Sequence, residues 1–119
     1  MKKTTEKNPS HGSGLEIIEK LAAVIAQRAA TADDASYTAK LLRGAPQLPA
    51  KKFGEEAVEL ALAAVGTDKA AITAEAADVI YHLLVLLQAS GVSLNEVCAV
   101  LERREGVSGL AEKAARKLQ

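Results

Sequence analysis

KKFGEEAVELALAAVGTDKAAITAEAADVIYHLLVLLQ, residues 51–88, decides the architecture of this chain. It reads as two helices joined by one tight turn. Gly66-Thr67-Asp68 interrupts the run: the glycine is a helix stop, and Asp68 is an N-cap for the restart. Glu55, Glu56 and Glu59 stand before the turn; Glu75 and Asp78 stand after it. If the helices fold back antiparallel about Thr67, Glu59 mirrors Glu75 and Glu56 mirrors Asp78. At 1.5 Å of rise per residue, each pair lies roughly 12–17 Å from the turn. Within each helix, partners three residues apart share a face. Four carboxylates therefore converge on one small volume.

Such a convergence is unfavourable unless positive charge fills it. Like charges at helical spacing repel, and an unpaired buried carboxylate costs far more. A hard divalent cation with oxygen ligands answers the need, Mg²⁺ or Mn²⁺. Mg²⁺ keeps several waters and completes its shell with substrate phosphates, which points to phosphate chemistry. The bland explanation is a pair of amphipathic helices whose acids face water. The symmetric ExxE…ExxD register, on helices otherwise strongly apolar, weighs against it. A di-iron or di-manganese carboxylate bundle needs Glu-x-x-His motifs. Here His82 follows Asp78 at i+4, so that reading is weaker.

Outward from the hairpin, composition sets bounds. With 119 residues, 49% of them hydrophobic, the chain is one domain with a modest core. Alanine-rich helices are favoured over a sheet. Fifteen basic residues balance fifteen acidic ones, so no net field points to nucleic acid or membrane. Residues 79–95 are uncharged, but too short and too interrupted for a membrane span. Cys98 stands alone, which excludes an intrachain disulfide and fits a reducing cytosol. It lies inside an apolar periodicity, so core packing is expected of it. Residues 1–14 have no apolar signal-peptide core and read as a disordered tail, leaving 15–119 as an all-α domain.

A first helix is expected from Leu15 to about Ala30, with a stripe of Leu15, Ile18, Leu21, Ala22 and Ile25. Asp33, Asp34 and Ser36 offer caps for a short helix, Tyr37 to Arg43, ended by Gly44. Pro46 and Pro49 predict a loop that delivers Lys51 and Lys52 into the first turn of the hairpin. Basic residues there oppose the macrodipole, and an anion is a good reason for their presence. The second hairpin helix is apolar nearly all round His82. A chain this size has little with which to cover it, which predicts a homodimer built on that helix. Gly91 ends it, Ser93 caps the next helix through Arg104, and 110–118 forms a last amphipathic piece. His82 reads either as a core histidine with its ring N–H satisfied or as support for a ligand or substrate. Lys40, Arg43, Lys51 and Lys52, and Arg103 and Arg104 beyond them, are singly solvated charges; as a group they suit phosphate oxygens.

Three blocks carry a resemblance: Ser36-Tyr37-Thr38-Ala39-Lys40-Leu41-Leu42, then Lys51-Lys52-x-Gly54-Glu55-Glu56-Ala57-x-Glu59, then Glu75-Ala76-Ala77-Asp78-x-x-Tyr81-His82-Leu83-Leu84. Together they resemble the phosphoribosyl-ATP pyrophosphohydrolases of histidine biosynthesis, over about Leu15 to Arg104. The acidic pattern alone marks only the broader all-α nucleotide pyrophosphohydrolases, MazG-type enzymes included. Phe53 departs from the family's usual smaller aliphatic residue. No fused cyclohydrolase segment is seen, as expected of the stand-alone form. The resemblance implies Mg²⁺-dependent hydrolysis of phosphoribosyl-ATP between its α- and β-phosphates. It implies that Glu56, Glu59, Glu75 and Asp78 hold the metal, with Glu55 orienting or deprotonating the attacking water. Lys51 and Lys52 would contact the triphosphate; Ser36, Tyr37, Lys40, Tyr81 and His82 would shape the pocket. The expectation is thus a cytoplasmic, dimeric, all-α hydrolase with a nucleotide substrate. A house-cleaning nucleoside triphosphate pyrophosphohydrolase and a non-enzymatic, metal-stabilised helical dimer are the alternatives.

Overall fold

The helical hairpin is present, and both of its helices are longer than the motif requires. A computed structural model of the chain describes residues 14–31, 34–106 and 109–117, the side chains of 110–112 and 115 excepted. The expected tail, Gly14 apart, lies outside the described residues, as do Asp33 and residues 107–108. The described elements are all helices: α1 (Glu16–Ala30), α2 (Tyr37–Arg43), α3 (Gln47–Ala64), α4 (Lys69–Ser90), α5 (Leu94–Arg104) and α6 (Gly109–Lys117). The fold is all-α, with α3 and α4 packed as its central antiparallel pair.

Local chemistry sets most boundaries. Ser36 caps α2, its hydroxyl accepting the Ala39 N–H at 3.1 Å. Asp34 accepts the Ser36 N–H at 2.7 Å and pairs with Arg28 of α1 at 3.1 Å. Asp68 caps α4 through the Ala71 N–H at 3.1 Å. Gly91 ends α4 at φ +72°, a left-handed position that glycine takes without strain. Ser93 and Glu96 then form a reciprocal capping box at the start of α5.

One expectation about the prolines is overturned. Residues 47–50 are helical, so α3 starts four residues before Lys51, with Pro46 as its N-cap. Pro49 falls in the first turn, where a backbone N–H has no intrahelical partner to lose. The prolines therefore open the helix instead of holding a loop. Lys51 and Lys52 sit a turn farther in, where the macrodipole conflict fades, and the argument from it to a bound anion lapses.

The core is formed by Ile25 of α1, Leu41 of α2, and Leu84 and Val85 of α4, with Leu21, Leu42, Leu48 and Leu94 against them. It gathers around the C-terminal half of α4. The N-terminal half, which carries Glu75 and Asp78, has α3 as its main neighbour. Only His82, Leu84 and Val85 of α4 are buried. From Lys69 to Ser90, α4 is long and apolar enough to cross a membrane by length and composition alone. The expectation against a span was drawn on 79–95, and the helix begins ten residues earlier. Core helices of soluble proteins pass the same test, so the criterion decides nothing alone.

Cys98 is a second correction. It is exposed, and α5 has no buried residue. Cys98 and Leu101 edge an open groove with Glu102, Arg104 and Glu105. The apolar periodicity of α5 is real, but among the described residues this edge of it stays open.

Candidate functional site

On α3, Glu56 is half-buried; on α4, Glu75 is half-buried and Asp78 exposed. Each offers one oxygen such that all three lie within 4.8 Å of one another. Of the two mirror pairs expected about Thr67, Glu56 and Asp78 meet in this group: the Val65–Thr67 turn and Asp68 reverse the chain, and equal helical rise returns them to one level. Glu59 is outside the close triad, on an exposed position. Its charge still reaches Glu75. The Glu75 carboxyl is raised above its ordinary pKa, by burial first, then by the charges of Glu59, Asp78 and Glu56.

Glu75 also holds the site's clearest vacancy in bonding. Its Oε1 is buried and has no hydrogen-bond partner. A carboxylate oxygen out of water, facing other carboxylates, is costly unless a cation serves them together. The donor set is all oxygen, which suits a hard divalent ion rather than a thiolate- or imidazole-seeking one. The residues present therefore fit a divalent cation.

The remaining sequence candidates fall into two neighbouring groups. Glu55 and Lys51 line an open groove with Gly54, Val58 and Glu59 on α3. Lys52 pairs with Glu55 at 3.4 Å. On the other side, α2 and α4 bring three rings together. Tyr81 meets His82 edge-on at 4.9 Å between centroids, and Tyr37 meets His82 edge-on at 6.3 Å. Tyr37 and Tyr81 lie 6.5 Å apart and nearly parallel. Tyr37 is 52% exposed, Lys40 is exposed, and the Ser36 hydroxyl is taken by its capping bond. His82 is buried, and its Nδ1 has no hydrogen-bond partner. One residue escaped the sequence reading. The hydroxyls of Thr38 and Tyr81 share a hydrogen bond across 43 positions of chain. Spacing flags pairs within a helix, and a lone threonine in a short helix offers no such signal.

Residues 18–105, from the first turn of α1 to the end of α5, match the family model described as phosphoribosyl-ATP pyrophosphohydrolase. The chain belongs to this family. Among its relatives in this pyrophosphohydrolase family is a phosphoribosyl-ATP pyrophosphatase of Dinoroseobacter shibae, 55% identical over 102 residues, 86% of this chain and 100% of that one. A protein of the same name from Methylobacterium radiotolerans is 61% identical over 97 residues, 82% of this chain and 91% of the relative. Another, from Nitrobacter winogradskyi, is 57% identical over 99 residues, covering 83% and 85%. The family match spans the whole hairpin, so the acidic triad lies inside it.

Proposed function

We propose that this chain hydrolyses phosphoribosyl-ATP to phosphoribosyl-AMP and pyrophosphate, the second step of histidine biosynthesis, in the cytoplasm. The observation that carries the reading is the Glu56–Glu75–Asp78 triad, with an unpartnered Glu75 oxygen, in a chain of this family. Glu56, Glu75 and Asp78, with Glu59 beside them, would hold Mg²⁺, or Mn²⁺ in its place. Such an ion supplies charge that neutralises polyphosphate oxygens and acidifies water.

The other residues bind and steer. Glu55, in the groove beside Glu59 and held by Lys52, orients or deprotonates the attacking water. The water oxygen bonds to phosphorus as the bridge between the α- and β-phosphates breaks, and pyrophosphate leaves with the bridge electrons. Lys51 and Lys52 meet the triphosphate oxygens as mobile point charges. Ser36, Tyr37 and Lys40 from α2, with Tyr81 and His82 from α4, form the wall for the nucleoside and ribosyl part. Residues 15–119 act as one domain, and two copies associate. Exposed apolar side chains support that pairing: Ile80 on α4, the helix expected at its centre, is 38% exposed, and Val58 and Leu62 on α3 with its C-cap Val65 are 58%, 66% and 85% exposed.

Pyrophosphate release measured with phosphoribosyl-ATP and with deoxynucleoside triphosphates, each with and without Mg²⁺, tests the reading. Turnover of phosphoribosyl-ATP alone is the expected result. The opposite selectivity would establish a house-cleaning triphosphate pyrophosphohydrolase. Turnover of neither, with Mg²⁺ raising the melting temperature, would leave a metal-stabilised helical dimer.

A further inference from the structure

The structure assigns a positioning role to Thr38. We propose that its hydroxyl, bonded to the phenol of Tyr81, locks α2 onto α4 and so sets the distance between the nucleotide-facing residues of α2 and the carboxylates of α4. The inference rests on the phosphoribosyl-ATP reading above.

Three observations meet at this contact. First, α2 is seven residues long, too short to be stable alone, and its place depends on what it packs against. Ala39 and Leu41 are its buried residues, and an apolar contact by itself leaves a short helix free to slide and roll. The Thr38–Tyr81 bond adds a directional constraint, half-buried and thus shielded from competing water. Second, the Tyr81 ring also makes a T-shaped contact with His82, at 4.9 Å between centroids, and stands 6.5 Å from Tyr37 of α2. Third, the anchor is close to the chemistry. Tyr81 follows Asp78 by three residues on α4, about 4.5 Å along the axis. At the α2 end, Thr38 is flanked by Tyr37, and Lys40 lies two residues on. The bond therefore joins the side of the pocket that grips the nucleotide to the side that holds the acids. It joins residues 43 apart in sequence, on two helices whose register no local propensity fixes.

Loosening this link displaces Tyr37 and Lys40 relative to Glu75 and Asp78. A shift of this kind weakens substrate binding more than it slows a correctly bound substrate. Thr38→Val keeps the shape and branching of the side chain and removes the hydroxyl; Thr38→Ser keeps the hydroxyl. In steady-state hydrolysis of phosphoribosyl-ATP with Mg²⁺, Thr38→Val raises KM about three- to tenfold, the range one net hydrogen bond covers, with kcat nearly kept. Thr38→Ser restores KM to within about twofold. In the Thr38→Val, Tyr81→Phe double variant, the loss of kcat/KM is smaller than the two single losses multiplied, as one shared bond requires. Parental KM in Thr38→Val, or a lower melting temperature with unchanged KM and kcat, overturns the proposal while leaving the activity standing. Fully multiplicative losses in the double variant overturn it as well. A parental protein that does not turn over phosphoribosyl-ATP removes both the activity and the link.

Discussion

Glu75 sits where the fold without a cation would be better served by a neutral group. Burial and three neighbouring carboxylates oppose its charge, so removing that charge relieves the site. Glu75→Gln should raise the melting temperature of the metal-free protein, abolish the further rise on adding Mg²⁺, and reduce turnover at least about a hundredfold. Calorimetry with and without Mg²⁺, beside a pyrophosphate-release assay, checks all three; a variant as active as the parent removes Glu75 from the site. Asp34 is the opposite case. Hydrogen bonds from Ser36, and then the Arg28 guanidinium, lower it from 3.8 to about 2. Because its folded pKa lies below the unfolded one, its contribution is complete above about pH 4 and disappears as acid approaches pH 2. Asp34→Asn should therefore melt lower than the parent at pH 6, with the gap held down to about pH 4 and narrowing below it towards pH 3. A gap of constant size across that range refutes the assignment. Both residues were visible in the sequence, as a register for Glu75 and as a cap for Asp34. The unpartnered oxygen and the guanidinium were not, since they depend on where other helices lie.

At the scale of the helices, boundaries set by backbone chemistry were readable and those set by packing were not. Asp68, Gly91 and Ser93 act as their residue types require, because a cap satisfies orphan backbone groups with its own side chain or its own φ. Gly91→Ala should cost about 1–2 kcal/mol, measured by urea unfolding. A Cβ there would meet nothing within 4 Å, so the whole cost is the positive φ. No cost would mean that the C-terminus of α4 rearranges freely. The start of α3 is not legible in the sequence, because a proline near a helix start fits a loop and a first turn equally well. Leu48 settles it: at Gly44 a Cβ would lie 2.7 Å from the Leu48 Cβ, so α2 and α3 meet closely there. Leu84→Ala should cost about 2–5 kcal/mol, since Leu84 belongs to the small cluster that unites α1, α2 and α4.

For the whole molecule, exposed apolar surface is what supports the proposed pairing of two chains. Among the described residues, Ile25, Leu41, Val85 and Pro49 are the largest fully buried side chains. Large apolar residues stay open on α1, α3, α4 and α5, among them Ile17, Leu62, Ile80 and Leu101. A second copy would cover such faces. Sedimentation equilibrium at micromolar concentration should find two chains per particle; a stable single-chain species removes the proposed pairing.

By itself the sequence determined the helical class, the turn at Gly66-Thr67-Asp68, and the level at which Glu56, Glu75 and Asp78 meet. These follow from rise per residue, capping chemistry and side-chain periodicity, which act over one or two turns. Tertiary structure alone decided that Glu59 stands back from the triad, that Cys98 faces outward, and that Thr38 reaches Tyr81. Each of these depends on how far one helix is rolled and shifted against another. Packing of the assembled faces sets that quantity, and no local interaction encodes it.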